Sequence, residues 1–335
     1  MNSHPLTHDQ LLVGDRIDRL MTVEFRPLSG GLPPGYVEPL YQVCRNHHGV
    51  PLSMLAGSKL KNTVGAADTV YICTGAGIAP NLPFGETDGP PGAAVLARAL
   101  VLGLGCSVVM VTEQQHLAPV QACVDVINAD LPGSAAVTCV AFSKGLGPGR
   151  SEAAELFAAT PPKAVIFVER DGPNAEGYFH GVRGDFRQPE DVGHVYLLAD
   201  LARDNGVLSI GIGDGGNEVG FGDVRAAVAN AHPFKGMSKG GFESGLVTVT
   251  ATDVVVAASV SNWGAYGVAA GLAYLCKQIE LIHSPGMERD LVEASVRHGA
   301  RDGATSRQEN AVDGLDLEGH AAFVHLLSAL ISISL

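Results

Sequence analysis

Apolar residues near the start of the chain recur at helical spacing. Leu11, Leu12, Ile17, Leu20, Met21 and Phe25 mark one apolar face. The Pro- and Gly-rich stretch Gly30–Gly35 interrupts this pattern, and further helices are expected over Pro39–Arg45 and near Leu52–Leu60. Residues 1–65 are therefore expected to form a helical N-terminal layer. From Asp68 the rhythm changes to short apolar runs alternating with helical patterns. The runs Thr69–Cys73, Ser107–Val111, Ala136–Phe142, Ala164–Val168, Leu208–Ile212 and Asp253–Ala258 are read as strands. Helices are expected at about Gly92–Leu104, Gln115–Asn128, Ser151–Ala159, Val192–Asn205 and Trp263–Lys277. Near-continuous Val/Ile runs indicate strands covered on both faces, as in parallel sheets. The fold class is thus α/β: a doubly wound, mainly parallel sheet with helices on both faces, spanning residues 66–335 and forming one compact unit with the N-terminal layer. Ligands of such sheets lie outside the carboxyl ends of the strands, so the loops there are where chemistry is sought.

Composition narrows the partners. The 335 residues are 46% hydrophobic and 17% charged, as in a compact globular enzyme. A formal charge of −13 argues against a nucleic-acid partner, because duplex binding depends on Lys and Arg neutralising phosphates. A metal ion or another cationic group is the natural counterpart of so many carboxylates. Cys44, Cys73, Cys106, Cys123, Cys139 and Cys276 show no C-x-x-C spacing and read as reduced thiols of a cytoplasmic protein. Met1–Asp15 lacks a charged-then-apolar leader, and no apolar run reaches the roughly 18 residues that span a bilayer. Phe323–Leu335 is apolar but too short, and reads as a buried terminal helix or strand. A homo-oligomer is left open.

The 42 glycines cluster between the apolar runs, where unusual backbone angles or close approach to a ligand are needed. After the first strand come Thr74-Gly75-Ala76-Gly77 and then Gly85-Glu86-Thr87-Asp88-Gly89-Pro90-Pro91-Gly92. Thr87 or Asp88 could simply cap the next helix, or the Gly-Pro frame could aim these polar groups at a ligand. The third glycine of a dinucleotide fingerprint is missing, and Pro80 and Pro83 stand where its helix should begin, so no nucleotide cofactor is expected. After the fourth strand, Glu169-Arg170-Asp171-Gly172 leads to Tyr178 and Arg183-Gly184-Asp185, readable as a structural ion pair or as an anion clamp. The fifth strand runs into Gly211-Ile212-Gly213-Asp214-Gly215-Gly216-Asn217-Glu218-Val219-Gly220. Its amides could form an anion-binding nest and its carboxylates could hold a hard cation. After the sixth strand, Ser261 and Asn262 could cap a helix or face the site, and Trp263, the one tryptophan, could anchor the core or wall a pocket. His47-His48 stands without H-E-x-x-H or C-x-x-C, so zinc is not expected. Gly236-Met237-Ser238-Lys239-Gly240 spells G-x-S-x-G but follows Pro233 rather than a strand, which discounts a hydrolase elbow.

In order and spacing, Gly85–Gly92, Glu169–Gly184, Gly211–Gly220 and Ser261–Tyr266 resemble the D-glutamate cyclase C-terminal domain family, from roughly Gly65 to Gly314. Larger family members carry another domain before this one. The resemblance implies a hydro-lyase that converts D-glutamate to 5-oxo-D-proline, with a small anionic amino acid as substrate. In that chemistry Asp214 and Glu218 would hold a divalent cation such as Mg or Mn, or the substrate ammonium. Arg170 or the Gly213–Gly216 amides would receive a carboxylate, and Glu86 or Asp88 would act as base and then acid. Thr74, Gly75, Thr87, Glu169, Gly215, Gly216, Asn217, Ser261, Asn262 and Trp263 complete the expected substrate contacts. Two other classes stay in view. A phosphohydrolase of haloacid-dehalogenase type is suggested by Gly213–Glu218, which resembles that superfamily's G-D-G-x-N-D. It also needs D-x-D after an early strand, which Thr74–Gly77 and Thr112–Gln114 lack. The other class is a non-catalytic small-molecule-binding module.

Overall fold

The computed structural model describes residues 5–25, 32–133 and 137–335. Residues 30, 31 and 136, parts of the expected Gly30–Gly35 break and third strand, lie outside the described residues. Six strands form a single parallel sheet: β1 (Thr69–Thr74), β2 (Ser107–Glu113), β3 (Val137–Phe142), β4 (Ala164–Val168), β5 (Leu208–Gly213) and β6 (Val254–Ala257). Their order is β3-β2-β1-β4-β5-β6. The direction of winding reverses between β1 and β4, which is where ligand crevices open in doubly wound sheets.

Strand periodicity explains the two covered faces. Val70 and Ile72 of β1 join the larger core, while Tyr71 and Cys73 face the opposite core with Phe142, Phe167 and Leu198. Every residue of β4 and β5 is buried, as the unbroken apolar runs require. The helices are α1 (His8–Met21), α2 (Val37–His48), α3 (Leu52–Thr63), α4 (Pro90–Leu104), α5 (Leu117–Asp130), α6 (Leu146–Ala159), α7 (Leu197–Asp204), α8 (Arg225–Ala231), α9 (Ser261–Cys276), α10 (Pro285–Arg297) and α11 (Leu317–Ser332). Helices α6 and α7 cover one face of the sheet. On the other, α4 and α9 lie against it, with α5 beside them and α1–α3 packed on α9 and β6.

The apolar face of α1 differs from the expected one. Val13, Ile17 and Met21 are buried, whereas Leu12 is 44% and Phe25 55% exposed. The face turns because Asp18 is buried within it. Its carboxylate accepts the Leu52 and Ser53 amides at 2.6 and 3.1 Å and the Tyr41 hydroxyl at 2.9 Å, capping α3 from another helix. The C-terminal stretch is a helix, but only half-buried: Phe323, Leu327 and Ile331 pack inward while Leu326 and Ile333 are exposed. All six cysteines are free thiols. Among the described residues no helix is long and apolar enough to cross a membrane.

Candidate active site

The site is built by two helix N-termini that face one another beyond the end of β1. Helix α4 begins Gly89-Pro90-Pro91-Gly92, and its two prolines have no N–H to offer. The remaining early donors, Gly89 and Gly92, are both accepted by Asn262 Oδ1, at 2.9 and 2.7 Å. Asn262 belongs to α9, whose own first amides, Ser261 and Asn262, donate to the two Asp88 oxygens at 2.8 and 2.7 Å. Asp88 thus caps α9 rather than the helix it precedes. Gly89 adopts φ +101°, and a Cβ there would stand 2.8 Å from Thr74 Oγ1 and 2.9 Å from Glu169 Cβ. A Cβ on Gly92 would meet Asn262 Cα at 2.6 Å, so glycine is what lets the two helix starts approach.

Asp88 opens onto a cavity of about 220 Å³ at the β1, β4 and β5 ends. That is below the 300–1,000 Å³ of drug-sized ligand sites and suits a small metabolite. Among the described residues it is lined by the carboxyls of Glu86, Asp88, Glu169, Asp185, Asp214 and Asp313, against the guanidiniums of Arg183 and Arg187. The sheet register brings two of these together: Val168 pairs with both Thr74 and Ile212, so Glu169 and Asp214 emerge from neighbouring strand ends next to the β1 loop. Ligand oxygens of Asp88, Asp214 and Asp313 lie within 4.8 Å of one another, as do those of Glu169, Asp214 and Glu218.

So many acids in one buried space cannot all ionise cheaply. Burial, then the nearby Asp313, Asp88 and Asp214, pushes Glu86 well above the usual carboxylate range. Glu169 is raised by burial and by Glu218, Asp214, Asp88 and Glu86. Burial and Asp214 lift Asp88 to about 8, against the three amides that favour its ionised form. Among the described residues the buried counter-charge is Arg187, which burial lowers to about 10, so it stays cationic at neutral pH. Its guanidinium donates to Gly77 O at 2.9 Å and to the Asp171 carboxylate.

Five expected residues therefore line the cavity: Glu86, Asp88, Glu169, Asp214 and Asn217. The others serve it from behind or lie elsewhere. Arg170 is fully buried, donating to Gly75 O at 2.5 Å, to Gly193 O at 2.8 Å and to Glu113. Its ion pair is with Glu113 rather than with its neighbour Glu169, and it ties together the loops after β1, β2 and β4. Burial alone would raise Glu113, but the Arg170 charge overrides this and holds it low. Glu218 accepts the Asp214, Gly215 and Gly216 amides at 3.0, 2.8 and 2.7 Å, so the glycine nest encloses the chain's own carboxylate. Thr87 Oγ1 donates to Ala311 O at 2.7 Å, and Thr74 is buried at the strand end. Ser261 Oγ donates to Glu169 at 2.5 Å. Trp263 is a core anchor, stacked on Phe323 at 4.1 Å with Nε1 donating to His320 at 3.0 Å.

Arg187, Asp313 and His180 are cavity residues that the pattern along the chain did not single out. Arg187 sits on a two-residue strand, Phe186–Arg187, too short to register as periodicity. Asp313 forms the turn of a hairpin, Asp313-Gly314 with both φ positive. The Asp-Gly dipeptide was the available signal for that turn, though not for the direction of its side chain. His180 Nε2 lies 2.8 Å from Ser238 Oγ, so the G-x-S-x-G serine packs on the cavity wall from a turn after α8.

A family described as D-glutamate cyclase-like, C-terminal, matches residues 46–328. The human protein D-glutamate cyclase, mitochondrial, is 27% identical over 289 residues, which is 75% of this chain and 43% of that protein, so the match spans less than half of that relative's length. A solved structure of an O-ureido-L-serine synthase mutant with O-ureido-L-serine bound aligns over 98% of this chain and 86% of that one. Its TM-score is 0.19 and its identity 13%, too low to bear on the fold. By the extent of the family match, this chain belongs to the D-glutamate cyclase-like family, in its C-terminal domain.

Proposed function

We propose that the cavity catalyses the intramolecular dehydration of D-glutamate to 5-oxo-D-proline. The observation that carries this reading is the set of acids with raised proton affinity facing one buried guanidinium in a space of about 220 Å³. In the reaction the amine nitrogen bonds to the γ-carbon and one γ-carboxyl oxygen leaves as water. Both hydrogens of that water come from the substrate ammonium. The site therefore needs no net proton, only a relay: an ionised carboxylate takes a proton from nitrogen, and a protonated carboxyl gives one to the departing oxygen. Asp88 and Glu86 suit the donor role because burial and neighbouring acids keep them protonated towards neutral pH. Asp214 and Asp313 suit the ammonium. Arg187 suits the α-carboxylate, since a guanidinium fork matches a carboxylate. Holding amine and γ-carboxyl in contact removes much of the entropic barrier to ring closure.

The test is incubation of the purified chain with D-glutamate, followed by chiral chromatography and mass spectrometry for 5-oxo-D-proline. Product formation that is abolished by Asp88→Asn supports the reading. Thermal stabilisation by D-glutamate without product would make the chain a binding module. Hydrolysis of an aryl phosphate with magnesium, and no lactam, would move it to the phosphohydrolases.

A further inference from the structure

We propose that the acid cluster holds two divalent cations, with Asp214 as their shared ligand. The two carboxylate sets, Asp88–Asp214–Asp313 and Glu169–Asp214–Glu218, have Asp214 in common, and each is compact enough to surround one ion. A carboxylate that belongs to two adjacent ligand sets is how paired ions about 3.5–4 Å apart are bridged.

A separate observation points to a ligand in the same place. Asn217 lines the cavity and is only 6% exposed. Its Nδ2 donates to His180 O at 3.0 Å, which orients the amide and leaves Oδ1 on the other side. Among the described residues that oxygen has no hydrogen-bond partner. A buried amide oxygen is rarely left without a donor or a cation. It stands three residues from Asp214 on the same glycine-rich loop.

The donor chemistry is consistent. A carboxylate has about four lone-pair positions. Asp88 uses three on the Gly89, Ser261 and Asn262 amides, and Glu218 uses three on the Asp214, Gly215 and Gly216 amides. Each is locked in place with one position left. All donors are oxygens, with no His or Cys in either set, which selects hard cations such as Mg2+ or Mn2+. The pair deepens the cyclase reading and revises two roles in it. In the loaded site Asp88, Asp214 and Asp313 would be ligands rather than proton donor and ammonium contacts, leaving Glu86, which is in neither set, as the donor. The ions would supply positive charge opposite a γ-carboxylate. The pair is measured without substrate, so either idea can fail alone.

The experiment titrates Mn2+ into the chelator-stripped full chain, counting bound ions by equilibrium dialysis and recording the electron paramagnetic resonance spectrum. Two Mn2+ per chain with an exchange-coupled spectrum are expected. Asp313→Asn should retain one ion with an uncoupled signal, and Asp214→Asn should lose the coupled pair. Asn217→Ala, folded by circular dichroism, should weaken binding about tenfold or more. One ion or none in the folded wild-type chain, or a coupled pair that survives Asp214→Asn, overturns the proposal.

Discussion

Asp88 and Asn262 cap each other's helices. Asp88 receives the Asn262 amide at 2.7 Å, while the Asn262 side chain receives the Gly89 and Gly92 amides that open α4. The exchange links two segments 174 residues apart and leaves Asp88 facing the cavity with its geometry held by backbone.

The exchange makes Asn262 a stability residue: it does not line the cavity but holds Asp88, which does. Asn262→Ala strands the buried Gly92 amide, while the Gly89 amide keeps its second acceptor, Asp88 Oδ1. Urea denaturation should therefore show a loss of roughly 1–3 kcal/mol, the cost of one buried unsatisfied amide. A loss below about 0.5 kcal/mol, the size of an ordinary surface change, would mean the caps are replaceable by water.

Arg187 should separate binding from folding. Arg187→Lys keeps the charge opposite Asp171 but loses the planar fork. If the guanidinium receives the α-carboxylate, KM for D-glutamate should rise about tenfold or more, the worth of roughly 1.4 kcal/mol, with kcat changed less. Arg187→Met, by contrast, leaves the buried Asp171 with only the longer Arg170 contact at 3.8 Å and should destabilise the fold by up to about 3–5 kcal/mol. An unchanged KM in the lysine variant would remove Arg187 from the substrate contacts.

The acid cluster predicts the direction of pH dependence in metal-free protein. Asp88 has a folded pKa of about 8, against about 3.9 when unfolded. Below the unfolded value both states hold the proton. Between the two values only the folded state holds it, so stability falls as pH rises through that window and levels above the folded pKa. Glu86 and Glu169, raised for the same reason, act in the same direction. Chelator-treated protein should therefore melt lower at pH 8 than at pH 6, and added Mn2+ should stabilise it more at the higher pH, because cation and proton compete for the same oxygens. Asp88→Asn should flatten the first trend. A melting temperature that climbs from pH 6 to 8 without metal would contradict the burial assigned to these groups.

Trp263 supplies a control for what is core and what is pocket. It is fully buried against Phe323 and does not line the cavity. Trp263→Ala should cost about 3–5 kcal/mol. Trp263→Phe should retain the stacking, lose the bond to His320 and leave KM for substrate within about twofold of wild type, an effect of at most about 0.4 kcal/mol on binding. A large KM change in the folded phenylalanine variant would return this residue to the pocket wall.

The glycine-rich loops were legible as loops that gather at one place, and Glu86, Asp88, Glu169, Asp214 and Asn217 do meet at one cavity. The partition among them was less legible. Glu218 and Asp214 look equivalent in Gly213–Gly220, yet Glu218 folds back onto its own loop's amides while Asp214 lines the cavity. Arg170 and Arg187 differ in the opposite way: the conspicuous arginine after β4 is buried beneath the site, and the inconspicuous one on a two-residue strand reaches it. On α1, Asp18 interrupts no pattern that sequence alone would flag, but its burial to cap α3 rotates the packed face.

Order along the chain and periodicity are local properties, and they were enough to locate the strands: Ala164–Val168 is a strand over the same residues the pattern marks, and the alternation with helices yields the parallel sheet. The sequence by itself thus determined the α/β architecture, the loops that gather at the strand ends and the acidic character of the site. Only the tertiary structure decided which carboxyls share a cavity. Asp88, Asp214 and Asp313 are separated by 126 and 99 residues along the chain and converge through sheet register, reciprocal helix caps and a hairpin turn. Proton affinity and cation binding depend on distance through space, and that distance is set by packing rather than by position along the chain.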